Sequence, residues 1–143
     1  MLRLVFVCAV FVLALSPPAS ASNSIIGAWR GPLTMNGMEC QIGVVLQSDG
    51  HYSSTQKCTN MGVPYPPARQ TGTYKKAANN TVSFQVEDWE PKTQILPGPN
   101  GGPTKFELPK PPGGTYMYKF TSANTSVWRD LSTGGSITYT RVR

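Results

Sequence analysis

Residues 40–58, CQIGVVLQSDGHYSSTQKC, constrain the fold of this 143-residue chain more tightly than any other stretch. Ser48-Asp49-Gly50 reads as a three-residue hairpin loop, a type I turn closed by a glycine in the left-handed region, which places Gln47 opposite His51. Stepping outward fixes the remaining pairs: Leu46 with Tyr52, Val44 with Ser54, Ile42 with Gln56 and Cys40 with Cys58. The 46:52 pair is non-hydrogen-bonded, and steps of two keep that property out to 40:58. Such pairs hold their α-carbons about 4.5 Å apart, near the short end of the disulfide range. A cross-strand bridge between Cys40 and Cys58 therefore needs no backbone rearrangement, and by loop closure it stabilises the fold by about 3 kcal/mol. The same register sorts the faces. Cys40, Ile42, Val44 and Leu46 share one side with Tyr52, Ser54 and Gln56, and that side faces the core.

A site at these cysteines is a weaker reading. Structural zinc needs four ligands, whereas the chain beyond its leader offers two cysteines and one histidine, His51, at the far end of the hairpin. No C-x-x-C is present, and neither a metal nor a cofactor is expected.

The third cysteine, Cys8, belongs to the leader. Arg3 precedes an apolar run, Leu4 to Leu15, and Ala19-Ser20-Ala21 supplies an A-x-A cleavage signature. Residues 1–21 read as a secretory signal peptide, with 22–143 as a single domain, so the predicted location is secreted or periplasmic. There a disulfide persists. No other stretch is apolar enough to cross a bilayer as a helix. Without Arg3, 12 of the 13 Lys and Arg remain against 7 Asp and Glu, a net charge of +5. These cations are scattered, Lys75-Lys76 being the one adjacent pair, whereas a nucleic-acid binder clusters them among stacking aromatics. No nucleic-acid partner is expected.

No window carries a 3.6-residue apolar period, and several alternate with a period of two. The strand candidates are 25–32, 38–47, 51–59, 69–76, 81–88, 115–121, 125–130 and 136–142. A glycine two residues ahead of an aromatic recurs in Gly27-Ala28-Trp29, Gly50-His51-Tyr52, Gly72-Thr73-Tyr74 and Gly114-Thr115-Tyr116, as suits a meander whose aromatics pack inward. Connections after the second, fourth and sixth strands are short, while the long ones, 60–68 and the Pro/Gly-rich 89–114, fall after the third and fifth. In an up-and-down meander these groups lie at opposite ends. The expected fold is all-β: an eight-stranded antiparallel up-and-down barrel with one end pinched by tight turns and the other a mouth.

Ile25-Ile26-Gly27-Ala28-Trp29 resembles the G-x-W opening of lipocalin-like (calycin) barrels. The resemblance implies that Trp29 packs at the closed end beneath an arginine from the last strand, SITYTRVR, either Arg141 or Arg143. Beyond the strand pattern it covers two short patches. The second lipocalin motif is not visible, and the chain ends with its last strand, closer to short bacterial lipocalin-like or avidin-like barrels. Avidins share the G-x-W opening, yet Arg30-Gly31-Pro32-Leu33 follows Trp29 where biotin recognition uses a polar set, so biotin binding is not expected.

The leading expectation is an exported binding protein that holds a small apolar or amphipathic ligand in its barrel. The candidate ligand-binding residues, by alternation, are Ser54, Gln56, Phe84, Tyr116, Tyr118 and Trp128, with Tyr116 and Tyr118 nearest the mouth. A packed barrel would leave the same residues as core. The alternative is a protein-interaction or inhibitor module acting through the Pro-rich loops. Two stretches that favour polyproline conformation, PYPP at 64–67 and LPKPPGG at 108–114, suit a lid over the mouth, a partner-binding surface or a disordered excursion. Enzymatic activity is not expected. His51 stands alone at a turn, Glu87 and Asp88 should point to opposite faces, and no nucleophile–base pairing is visible.

Overall fold

The computed structural model describes residues 23–143; the segment 1–21, read from the sequence as a signal peptide, lies outside the described residues. In chain order the strands are β1 (Gly27–Met35), β2 (Met38–Leu46), β3 (His51–Asn60), the two-residue β4 (Val63–Pro64), β5 (Ala68–Ala77), β6 (Thr81–Glu90), β7 (Thr93–Pro97), β8 (Pro103–Glu107), β9 (Thr115–Ser122), β10 (Thr125–Asp130) and β11 (Ser136–Arg141). The sheet order β2-β1-β11-β10-β9-β6-β5-β3, with β3 returning to pair β2, closes an eight-stranded antiparallel barrel. Strand β4 folds back on the end of β3. Closure joins the two outer edges of the sheet.

The β2–β3 hairpin has the register that its turn dictates. Leu46 faces Tyr52, Ile42 faces Gln56 and Cys40 faces Cys58, whose α-carbons stand 4.0 Å apart across the disulfide. Gly50 closes the turn at φ +89°, and the Asp49 carboxylate accepts the His51 N–H. Strand β1 runs past the expected end at Pro32. Asn36 and Gly37, both at positive φ, make a two-residue turn that keeps Met35 opposite Met38.

Trp29, 1% exposed, fills the closed end among Ile25, Leu46 and Val82. Its indole N–H donates to the Ile25 carbonyl at 2.7 Å. Arg141, opposite Trp29 in the β1–β11 ladder, lays its guanidinium 4.3 Å from the ring centroid and donates to the Ile26 and Ser24 carbonyls. One cation thus covers the indole face and ties the entering chain across the barrel end.

Two further features depart from the sequence expectation. The segment 89–114 is not one irregular loop: β6 continues to Glu90, and β7 and β8 pair as a separate two-stranded hairpin. The two strands pair residue for residue from Thr93 with Glu107 to Pro97 with Pro103, and the two prolines sit at the turn end, where they displace no interior ladder bond. The second departure is a bulge between β5 and β6. Gly72 faces Val86 and Thr71 faces Asp88, leaving Glu87 as the extra residue. A side chain at 72 would overlap the Gln85 carbonyl oxygen, so only glycine fits. The bulge shifts the alternation, so Glu87 and Asp88 are both exposed rather than on opposite faces, and Trp89 turns in opposite Gln70.

Candidate functional site

Two seams of the barrel are short. Hydrogen-bonded pairing covers two residues of each strand between β1 and β11 and three between β6 and β9, against nine between β1 and β2. The pairing at both short seams lies toward the closed end. Beyond it the three-stranded wall β9–β11 and the five-stranded wall β1–β6 enclose a cavity of ≈ 610 Å³ that opens at the mouth. Its volume is in the range of small-molecule sites.

Five of the six predicted ligand-binding residues, Ser54, Gln56, Phe84, Tyr116 and Trp128, line this cavity together. Tyr118 does not. It pairs with Trp128 across β9–β10 and packs edge-on against Phe120, 5.8 Å between centroids, on the side of the closed end. Strand β9 starts beside Ser83 rather than at the rim, so one residue pair along it already leaves the mouth. Sequence reasoning passed over Tyr139, Gln70 and Asp130 as lining residues. Tyr139 was recoverable from the alternation Ile137–Tyr139 in the last strand, whereas Gln70 depends on how β5 meets β6.

Aromatic rings dominate the floor. Phe84 and Trp128 lie 6.0 Å apart at 27°, Tyr52 meets Phe84 edge-on at 4.8 Å, and Tyr139 meets Trp128 at 5.2 Å. The Trp128 indole N–H donates to the buried Ser126 hydroxyl, so its donor is already used within the barrel. The Gln56 amide lies beside the disulfide, 3.1 Å from Cys58 Sγ.

One polar atom of the floor stands out. Tyr52 is 3% exposed, and its hydroxyl finds no hydrogen-bond partner among the described residues. A buried hydroxyl without a partner costs on the order of 1–3 kcal/mol. Burial, then the charges of Tyr116 and Glu87 when ionised, push its phenol up to about 12. Burial and then the Asp130 carboxylate raise Tyr116, and burial raises Tyr139. All three phenols are therefore neutral hydrogen-bonding groups at ordinary pH.

A second hollow of ≈ 310 Å³ adjoins the cavity and shares Ser54, Gln56 and Gln70 with it. Leu108, Pro109 and Pro111 roof this hollow, while Pro112, Gly113 and Gly114 continue into the wall of the larger one. The extended strap 108–114 thus runs along the mouth. Trp89 lines the smaller hollow, and its indole N–H is the other buried side-chain polar atom without a partner among the described residues.

Among the described residues no group of three or more His, Cys, Asp or Glu could hold a metal ion. Nor is any helix long and apolar enough to cross a membrane. Fold and cavity together define an all-β, eight-stranded closed antiparallel barrel with one internal disulfide, consistent with a calycin-like fold. No family model matches the chain, and no curated protein matches it.

Proposed function

We propose that this chain is an exported lipocalin-like binding protein whose barrel holds one small apolar or amphipathic molecule. The observation that carries this reading is the ≈ 610 Å³ cavity, walled by apolar and aromatic side chains, with the unpartnered Tyr52 hydroxyl buried in its floor. Apolar walls supply affinity, and a few fixed polar groups orient the guest. The lining groups suit recognition rather than bond-making: the phenols are neutral, and none is paired with a base that would activate it.

Native mass spectrometry of protein purified from its own host tests the reading. A retained mass that is lost when Phe84→Trp fills the cavity is expected. A bare protein that also fails to bind a hydrophobic fluorescent probe overturns it. Export carries its own check, recovery outside the cytoplasm of a chain beginning at Ser22.

A second reading, a protein-interaction module, is favoured by one observation. Ile95 is 70% exposed on the β7–β8 hairpin, with Phe106 exposed on the same hairpin and Met61 and Val63 exposed near β4. Replacing 93–107 by a short linker would abolish partner binding without changing cavity binding.

A further inference from the structure

The charge of this chain is distributed unevenly between its surface and its cavity. Although 13 Lys and Arg stand against 7 Asp and Glu, among the described residues no Lys, Arg or His lines the large cavity. Among the described residues its one carboxylate is that of Asp130. That carboxylate is held in place through a single oxygen, Oδ1, which accepts from the Ser132 N–H at 2.7 Å, the Ser132 hydroxyl at 2.6 Å and the Thr133 N–H at 3.3 Å. The Ser132 hydroxyl first, then the Ser132 N–H and the Thr133 N–H and hydroxyl, hold its carboxyl below the usual range, so it is ionised at neutral pH. Oδ2 has no hydrogen bond from the described residues and remains free to meet a guest.

Asp130 stands next to aromatic faces. It pairs with Tyr116 across β9–β10, and Tyr116 lies 5.8 Å from Phe84 and 6.4 Å from Trp128. The Trp128 donor is occupied by Ser126, and the rings of Tyr116, Phe84 and Trp128 all line the cavity. Aromatic faces beside one carboxylate, without a competing cation, form a cation-recognising arrangement. A carboxylate or phosphate guest would meet the opposite situation: it would be desolvated beside Asp130 with no positive partner. The neighbouring hollow does not alter the balance, since Arg69 and Glu90 contribute one charge of each sign there.

We propose that the barrel takes a singly charged amphipathic amine, its ammonium at the rim between Asp130 Oδ2 and the faces of Tyr116 and Trp128. The apolar body of the guest extends inward past Phe84, Ile42 and Val86. The Tyr52 hydroxyl, toward the closed end, receives a polar atom of that body. This assignment rests on the binding reading above and adds the sign of the guest's charge.

Three probes of one shape separate the two: phenylbutylamine, phenylbutanol and phenylbutyrate, titrated calorimetrically at neutral pH and low salt. The amine is expected to bind about tenfold tighter than the alcohol, with the carboxylate weakest. Asp130→Asn keeps an oxygen for the Ser132 and Thr133 N–H groups and should bring the amine-to-alcohol ratio close to one, with unchanged thermal unfolding showing that the turn survives. An alcohol or carboxylate that matches the amine, or an amine advantage that persists in D130N, overturns the cation assignment and leaves the binding reading standing. If none of the three probes binds, the cation assignment falls, and the binding reading falls with it when host-purified protein is also bare.

Discussion

The two ends of this barrel are built from similar residues and do opposite things. At the closed end Trp29, Ile25, Leu46 and Val82 are essentially fully buried, and the indole N–H and the Arg141 guanidinium both find carbonyl acceptors. At the mouth Ile42, Phe84, Tyr116 and Ile137 are half-buried around a cavity, and the Tyr52 hydroxyl beneath them has no partner. The difference comes from pairing rather than composition. Both short seams, β1–β11 and β6–β9, are hydrogen-bonded near the closed end, so side chains interdigitate there and stand apart beyond it. One end of the barrel holds the fold; the other is left free to hold something else.

The largest test of that contrast is Trp29→Ala. It should lower the unfolding free energy by about 3–5 kcal/mol, read from urea denaturation, and a smaller loss than at any mouth position would abolish the distinction. Next comes the double substitution Cys40→Ser with Cys58→Ser. It should lower stability by about 3 kcal/mol, with hydrogen exchange rising first in β3, β4 and the connection to β5 rather than around Trp29. Arg141→Leu removes two hydrogen bonds to carbonyls and a cation–π contact, and a loss of about 1–3 kcal/mol is expected. A Lys at 141 should restore less than half of it, because it cannot serve both carbonyls as a fork.

At the mouth the balance reverses. Phe84→Leu should change the unfolding free energy by less than about 1.5 kcal/mol, while probe affinity measured by fluorescence falls several-fold. A large stability loss here would mean that the mouth is core after all. The smallest effect is in alkali. Tyr52 is raised from 10.0 to about 12 by burial first, so its protonated form is favoured in the folded state. The stability this contributes is fully present below pH 10 and is lost as the pH rises toward about 12. Phenolate absorbance should show Tyr52 and Tyr139 titrating late and together with unfolding, and Tyr52→Phe should flatten that part of the pH profile.

Much of this architecture was legible in the sequence, and the reasons are local. The β2–β3 register follows from the Ser48-Asp49-Gly50 turn, and it places Cys40 against Cys58 without reference to the rest of the chain. Inward aromatics after the recurring glycines, Trp29, Tyr52 and Tyr74 among them, follow from a period of two. The Asn36-Gly37 turn was equally legible and extends β1 by one more inward position, Leu33, which lines the cavity. Its signal lay in the dipeptide; ending the strand at Pro32 hid it.

The remainder was not local. No turn joins β6 to β9 directly, nor β1 to β11, so nothing in the chain sets how far those strands slide past each other. That stagger decides that Tyr116 reaches the cavity and Tyr118 does not. The bulge at Gly72 is a fit between two strands, and it turns Trp89 inward and Glu87 and Asp88 outward against the simple alternation. By itself, then, the sequence determined the eight strands of the wall, though not the β7–β8 hairpin, together with the meander, the disulfide and which end would be pinched, because short loops and a period of two act over a few residues. Whether the interior would be filled or hollow was decided by the tertiary structure, because closing a barrel sets the distance between walls that share no turn.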